Sequence, residues 1–181
     1  MSVEEKLIRL TPAAFESLQE TPTTLIDLIE DSYGTDYFDS RSIYKGSINF
    51  DIPVPRMIHI DEFTIWLLTD RYEHATLCDA VVAWRDTQEL MGAQYGQGFA
   101  YATYQSREAV SAVATGLQKY PKRAVAKRFF SQVEHFRQAA SVHLAGDQAI
   151  LAYQRGSFEL FQRFYGEAAG QKEFVPHLIV Y

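Results

Sequence analysis

The chain has 181 residues, is 47% hydrophobic and 22% charged, and carries a formal net charge of −6. A chain of this length buries roughly 70% of the surface its unfolded form exposes, so neither a disulfide nor a metal is needed to hold a core, and one domain spanning residues 1–181 is expected. The single cysteine, Cys78, excludes an internal disulfide and suits a reducing compartment. No apolar run reaches the ~18 residues of a membrane span, and the N-terminal MSVEEKLIRL lacks the basic and apolar regions of a secretory leader, so a cytoplasmic location is expected.

In chain order, Lys6 to Leu10 reads as a short strand. Thr11-Pro12 starts a helix, with a polar cap and proline in the first turn, and Ala14, Phe15 and Leu18 are its apolar positions. Thr21-Pro22 repeats that signal ahead of Leu25, Ile26, Leu28 and Ile29, a second helix predicted to end near Gly34. Residues 34–58, with Gly34, Gly46, Pro53, Pro55 and scattered aromatics, read as irregular. A stretch that long in a small domain is either functional or conceals an element. Asp61 caps a helix through Leu68, and a further helix is predicted over about 73–91 from the spacing of Leu77, Val81, Trp84 and Leu90. Gly92, Gly96 and Gly98 end it, and FAYATY (99–104) reads as a strand. Ser106 caps a helix carrying Val110, Val113, Ala114 and Leu117, and Pro121 opens another running to about Leu144. Gly146-Asp147 leads into the last helical stretch, which Gly156-Ser157 is expected to split. From there Phe158, Phe161, Phe164 or Tyr165, and Ala168 recur every three to four residues, giving one apolar helix stripe. Gly170 and Lys172 close that helix, and VPHLIVY ends the chain as a buried strand. The fold class predicted is α+β: a single domain, mostly helical, with a small sheet that includes the C-terminal strand.

Recognised chemistry is sparse. The histidines are His59, His74, His135, His143 and His177, with no HExxH pattern and no paired Cys-x2-Cys. His74 and Cys78 are four apart, but two ligands fall short of the three or four a zinc site uses. Cys78 has no local signature of a nucleophile and reads as a small buried thiol. His177 reads as a satisfied core histidine. The run Gly92, Gly96, Gly98 precedes a strand, whereas a phosphate cradle follows a strand and opens a helix. It therefore reads as a chain reversal. No cofactor and no metal are implied.

Charge is unevenly spread. Residues 1–100 hold 17 acidic and 7 basic side chains, and residues 101–181 hold 6 and 10. Only Lys119, Lys122, Arg123, Lys127 and Arg128 form a basic run, so nucleic-acid binding is not expected. The acidic stretch is more informative. Asp27, Glu30, Asp31, Asp36 and Asp39 fall within 13 residues that contain no Lys or Arg, interleaved with Tyr33, Tyr37 and Phe38. A solvated helix end and loop would explain them. Against that, acids at a helix C-terminus oppose the macrodipole, and carboxylates beside aromatics are what a surface needs to meet a basic partner.

Several of these segments, taken together, resemble the YfbM-like family of bacterial proteins of unknown function. They are Leu10-Thr11-Pro12; Trp66-Leu67-Leu68-Thr69-Asp70; Tyr95-Gly96 followed by Tyr101 and Glu108-Ala109-Val110; and Phe164-Tyr165-Gly166-Glu167-Ala168 with Leu178-Ile179-Val180. Asp70 stands where the family pattern has glycine. A Trp-His pair expected just before that segment is replaced by Asp61-Glu62, and a Tyr-Pro segment expected before the last helix is missing. The resemblance implies an α+β domain and brings no catalytic residues with it.

Two functions fit. The first is a non-catalytic binding module, most concretely an immunity protein that neutralises a cognate bacterial toxin, such as a basic nuclease. Its contact residues would be Asp27, Glu30, Asp31, Tyr33, Asp36, Tyr37, Phe38 and Asp39. The alternative is an enzyme or small-molecule-binding protein with a cleft near Trp66, Trp84 and residues 92–98.

Overall fold

The computed structural model describes residues 4–22, 24, 37–38, 57–60, 87–95, 98–120, 123, 126–127 and 147–180. Strands β1 (Glu4–Ile8), β2 (Tyr37–Phe38), β3 (Met57–Ile60), β4 (Thr87–Tyr95), β5 (Gly98–Gln105) and β6 (Val175–Val180) form one sheet in the order β2-β3-β1-β6-β5-β4. Helices α1 (Pro12–Glu20), α2 (Arg107–Lys119) and α3 (Asp147–Gly170) pack on it. The class is α+β, and the C-terminal strand is central to the sheet: β6 pairs antiparallel with both β1 and β5. No described helix is long and apolar enough to cross a membrane.

Strand alternation divides the side chains between two faces. Leu7, His177 and Thr103 lie opposite one another across β1, β6 and β5, while Lys6, Leu178 and Ala102 form the row facing the other way. Helix α1 covers the second face. Its Phe15 ring stacks on Phe174 at 4.0 Å and meets Tyr104 at 4.6 Å. Helices α2 and α3 cover the first, where the Tyr165 hydroxyl donates to Gln105 Oε1 at 3.0 Å. Both faces are occupied at the centre, so consecutive residues of β1, from Lys6 to Ile8, are all buried.

The helix starts follow the expected chemistry. Thr11 Oγ1 accepts from the Ala14 N–H at 3.3 Å, with Pro12 in the first turn, and Ser106 Oγ accepts from the Ala109 N–H at 3.2 Å. Helix α2 buries Val110, Val113, Ala114 and Leu117. Gln162 of α3 donates to the Leu117 carbonyl at 2.7 Å, a second donor for a carbonyl at the end of α2 that also accepts from the Tyr120 N–H at 3.3 Å. The aromatic stripe of α3 is the main anchor: Phe158, Phe161, Phe164, Tyr165 and Ala168 are all buried.

Helix α3 ends in a Schellman turn. The Glu173 N–H reaches the Ala168 carbonyl at 2.8 Å and the Lys172 N–H reaches Ala169 at 3.2 Å, with Lys172 at φ 55°. Glycine usually occupies this left-handed position. The left-handed region costs a residue with a Cβ about 1–2 kcal/mol, and glycine gives back about 0.5–1 kcal/mol through its more mobile unfolded chain. Lys172→Gly is therefore expected to stabilise the protein by about 0.5–1 kcal/mol, seen as a higher urea midpoint. A lower midpoint would mean that the lysine side chain contributes more than its backbone costs.

Some expectations need amendment, and others fall outside the described residues. The helix predicted over 73–91 does not extend through its last residues, because Thr87 to Met91 belong to β4. Gln88, Glu89, Leu90 and Met91 favour helix, but pairing with the β-favouring run of β5 overrides local preference. Gly156-Ser157 does not split the last helix, which is continuous over Asp147–Gly170. One glycine costs a helix about 1 kcal/mol, less than the burial of the aromatics that follow it. The irregular stretch 34–58 conceals β2 and the start of β3. The predicted helix from Asp61 through Leu68 lies outside the described residues, and those predicted from Thr21-Pro22 to about Gly34 and from Pro121 to about Leu144 lie largely outside them.

Candidate functional site

Of the eight predicted contact residues, Tyr37 and Phe38 are described. They form β2, the last strand at one end of the sheet, running parallel to β3 with Tyr37 opposite Met57 and Phe38 opposite Ile58. Asp27, Glu30, Asp31, Tyr33, Asp36 and Asp39 lie outside the described residues, as do Trp66, Trp84 and Cys78. The glycine run falls on the β4–β5 hairpin, where Tyr95 pairs with Gly98, so it turns the chain between antiparallel strands. Among the described residues no group of three His, Cys, Asp or Glu side chains could hold a metal. His177 is buried, with 1% of its surface exposed, in the middle of the sheet.

The structure brings together two polar features that the sequence did not signal. The first is buried. Arg9 Nε donates to Glu173 Oε2 at 2.8 Å, and the two side chains are 5% and 0% exposed. Arg9 stands just past β1 and Glu173 just before β6, where Leu10 and Phe174 form a two-hydrogen-bond bridge at 3.0 and 2.9 Å. The guanidinium lies 6.0 Å from the centre of the Phe164 ring. Arg9 Nη1 and Glu173 Oε1 are buried without a hydrogen-bond partner among the described residues. Sealed to this degree, the pair acts on the fold: it ties the N-terminal strand to the turn between α3 and β6.

The second is exposed. A shallow open groove runs between the first turns of α2 and the end of α3, lined by Arg107, Ser111, Ala112 and Thr115 on one side and Ala169 and Lys172 on the other. The Arg107 guanidinium sits 5.5 Å from the centre of the Phe174 ring, a cation–π contact that restrains it. Glu108 also borders the groove. Its own backbone N–H, then the Ser106 hydroxyl, hold its carboxyl below the ordinary value; slight desolvation opposes them, and Arg107 adds to the lowering. A carboxylate lowered in the folded state contributes stability above its unfolded pKa and loses it as pH falls through the folded one. The Glu108 contribution is thus present at neutral pH and is lost as pH falls from the ordinary carboxylate value through the lowered one.

An α+β fold with a mixed six-stranded sheet and, among the described residues, one helix on one face and a helix pair on the other, is the class that these elements define. No family model matches the chain, and no curated protein matches it either. Among solved structures, it is similar to the crystal structure of YfbM from Escherichia coli, a protein of unknown function. The TM-score is 0.56 at 13% sequence identity, over 97% of this chain and 99% of that one. The chain therefore has a YfbM-like fold. Of the segments that carried the resemblance, Leu10-Thr11-Pro12 leads into α1, Phe164 to Ala168 lie on α3, and Leu178 to Val180 lie on β6.

Proposed function

We propose that this protein is a non-catalytic binding module of the bacterial cytoplasm, an immunity protein that neutralises a basic toxin by covering it. The observation that supports this reading most is the setting of Tyr37 and Phe38. They are the aromatic pair of a segment with five acids and no Lys or Arg, and they form the strand at one end of the sheet. On this reading, Asp27, Glu30, Asp31, Asp36 and Asp39 attract a basic partner over long range, and Tyr33, Tyr37 and Phe38 anchor it once docked. The net charge of −6 adds to the same field.

The test is capture and rescue. The tagged protein should retain a basic protein from lysate of its native host, and that partner expressed alone should arrest growth. Co-expression of the wild-type chain should restore growth, and Asp36→Lys/Asp39→Lys should restore it poorly. A captured partner whose expression is harmless, or failure to retain any stable partner, would contradict the proposal.

A further inference from the structure

The groove between α2 and α3 has an electrostatic character opposite to that of the acidic segment. Arg107 reaches it from the first turn of α2 and Lys172 from the turn that closes α3, and neither has a carboxylate ion-pair partner among the described residues. Glu108, the acid among its described lining residues, is already engaged by the backbone at the start of α2 and by the Ser106 hydroxyl, so its charge serves the helix terminus. The Arg107 guanidinium is restrained by the Phe174 ring, and the Lys172 backbone is fixed by the hydrogen-bonded turn that closes α3. Between them the floor is small: Ala112 and Ala169, with the Ser111 and Thr115 hydroxyls one helical turn apart. The Thr115 hydroxyl already donates to the Ser111 carbonyl at 2.9 Å.

We propose that this groove docks a short acidic segment of a partner protein, with its carboxylates between Arg107 and Lys172 and a small apolar side chain on Ala112 and Ala169. Charge complementarity selects an anionic occupant. The alanine floor and the two separate cations favour a peptide over a nucleic acid, which would need a longer basic track and exposed aromatic faces for its bases. The Phe174 ring, against which Arg107 rests, is already covered by Phe15. This groove does not depend on the reading proposed for the acidic segment.

The full-length protein can be titrated into a fluorescein-labelled peptide alternating glutamate and alanine, with a lysine–alanine peptide as control. The acidic peptide should bind saturably and more weakly as salt rises. Amide resonances of Ser111, Ala112 and Thr115 should shift on binding. Arg107→Gln/Lys172→Gln should weaken binding about fivefold, since each exposed ion pair is worth about 0.5 kcal/mol. Both substitutions are on the surface, and an unchanged melting temperature would show that the variant is folded. No saturable binding, equal affinity for the variant, or complete displacement by inorganic polyphosphate with no shift at Ala112 would overturn the proposal. So would self-association of the free protein that the double substitution abolishes, because the occupant would then be a second copy of this chain.

Discussion

Glu173→Leu is expected to lower the unfolding free energy by about 3–5 kcal/mol, because it leaves the Arg9 guanidinium buried without its counter-charge. The side chains of the pair are 5% and 0% exposed, so solvent cannot take over from the lost carboxylate. The double variant Arg9→Met/Glu173→Leu removes both charges at similar volume, and its loss should be much smaller than that of the single variant. Two buried charges attract strongly but are also costly to desolvate, and apolar replacements of matching size avoid that cost. Arg9 Nη1 and Glu173 Oε1 have no hydrogen-bond partner among the described residues, which weakens the native pair further and favours the double replacement. Urea unfolding followed by circular dichroism gives both numbers. A loss below about 1 kcal/mol for Glu173→Leu would mean that the site is wetter than its burial indicates.

Phe164→Ala should cost about 3–5 kcal/mol, the range for emptying a well-packed aromatic site. Phe164 is 0% exposed. Its ring meets the edge of Tyr165 at 5.5 Å and has the Arg9 guanidinium 6.0 Å from its centre. Because the ring also shields the ion pair, Phe164→Ala and Glu173→Leu should not add: the combined loss should differ from the sum by more than about 0.5 kcal/mol. Strict additivity in thermal or urea unfolding would show that ring and ion pair act separately.

Much of the described fold was legible where local chemistry and packing agree. Thr11-Pro12 and Ser106 start helices because a side-chain oxygen there meets an open backbone N–H, and that requirement is local. The stripe from Phe158 to Ala168 declared its buried face through spacing alone. The failures have a common cause. Residues 87–91 look helical by propensity, and only the partner strand β5 makes them β4. The two-residue β2 carries too little pattern to be read, and it exists through pairing with β3. The Arg9–Glu173 contact joins residues 164 positions apart, and no periodicity reports a contact at that range. The groove was equally hidden, since it arises where Lys172 at the end of α3 comes beside the start of α2. The acidic segment was visible from composition, but composition alone did not indicate that Tyr37 and Phe38 would stand at the end of the sheet.

The claim that matters most is that an acidic, aromatic surface around Tyr37 and Phe38 recruits a basic protein. Its most direct test is the association rate constant with the captured partner, measured by stopped flow at low and at physiological ionic strength. Steering by opposite charge predicts a rate that falls roughly tenfold or more as salt screens the field, and Asp36→Lys/Asp39→Lys should slow association at low salt and flatten its salt dependence. A rate that ignores both salt and these substitutions would remove this segment from the interface.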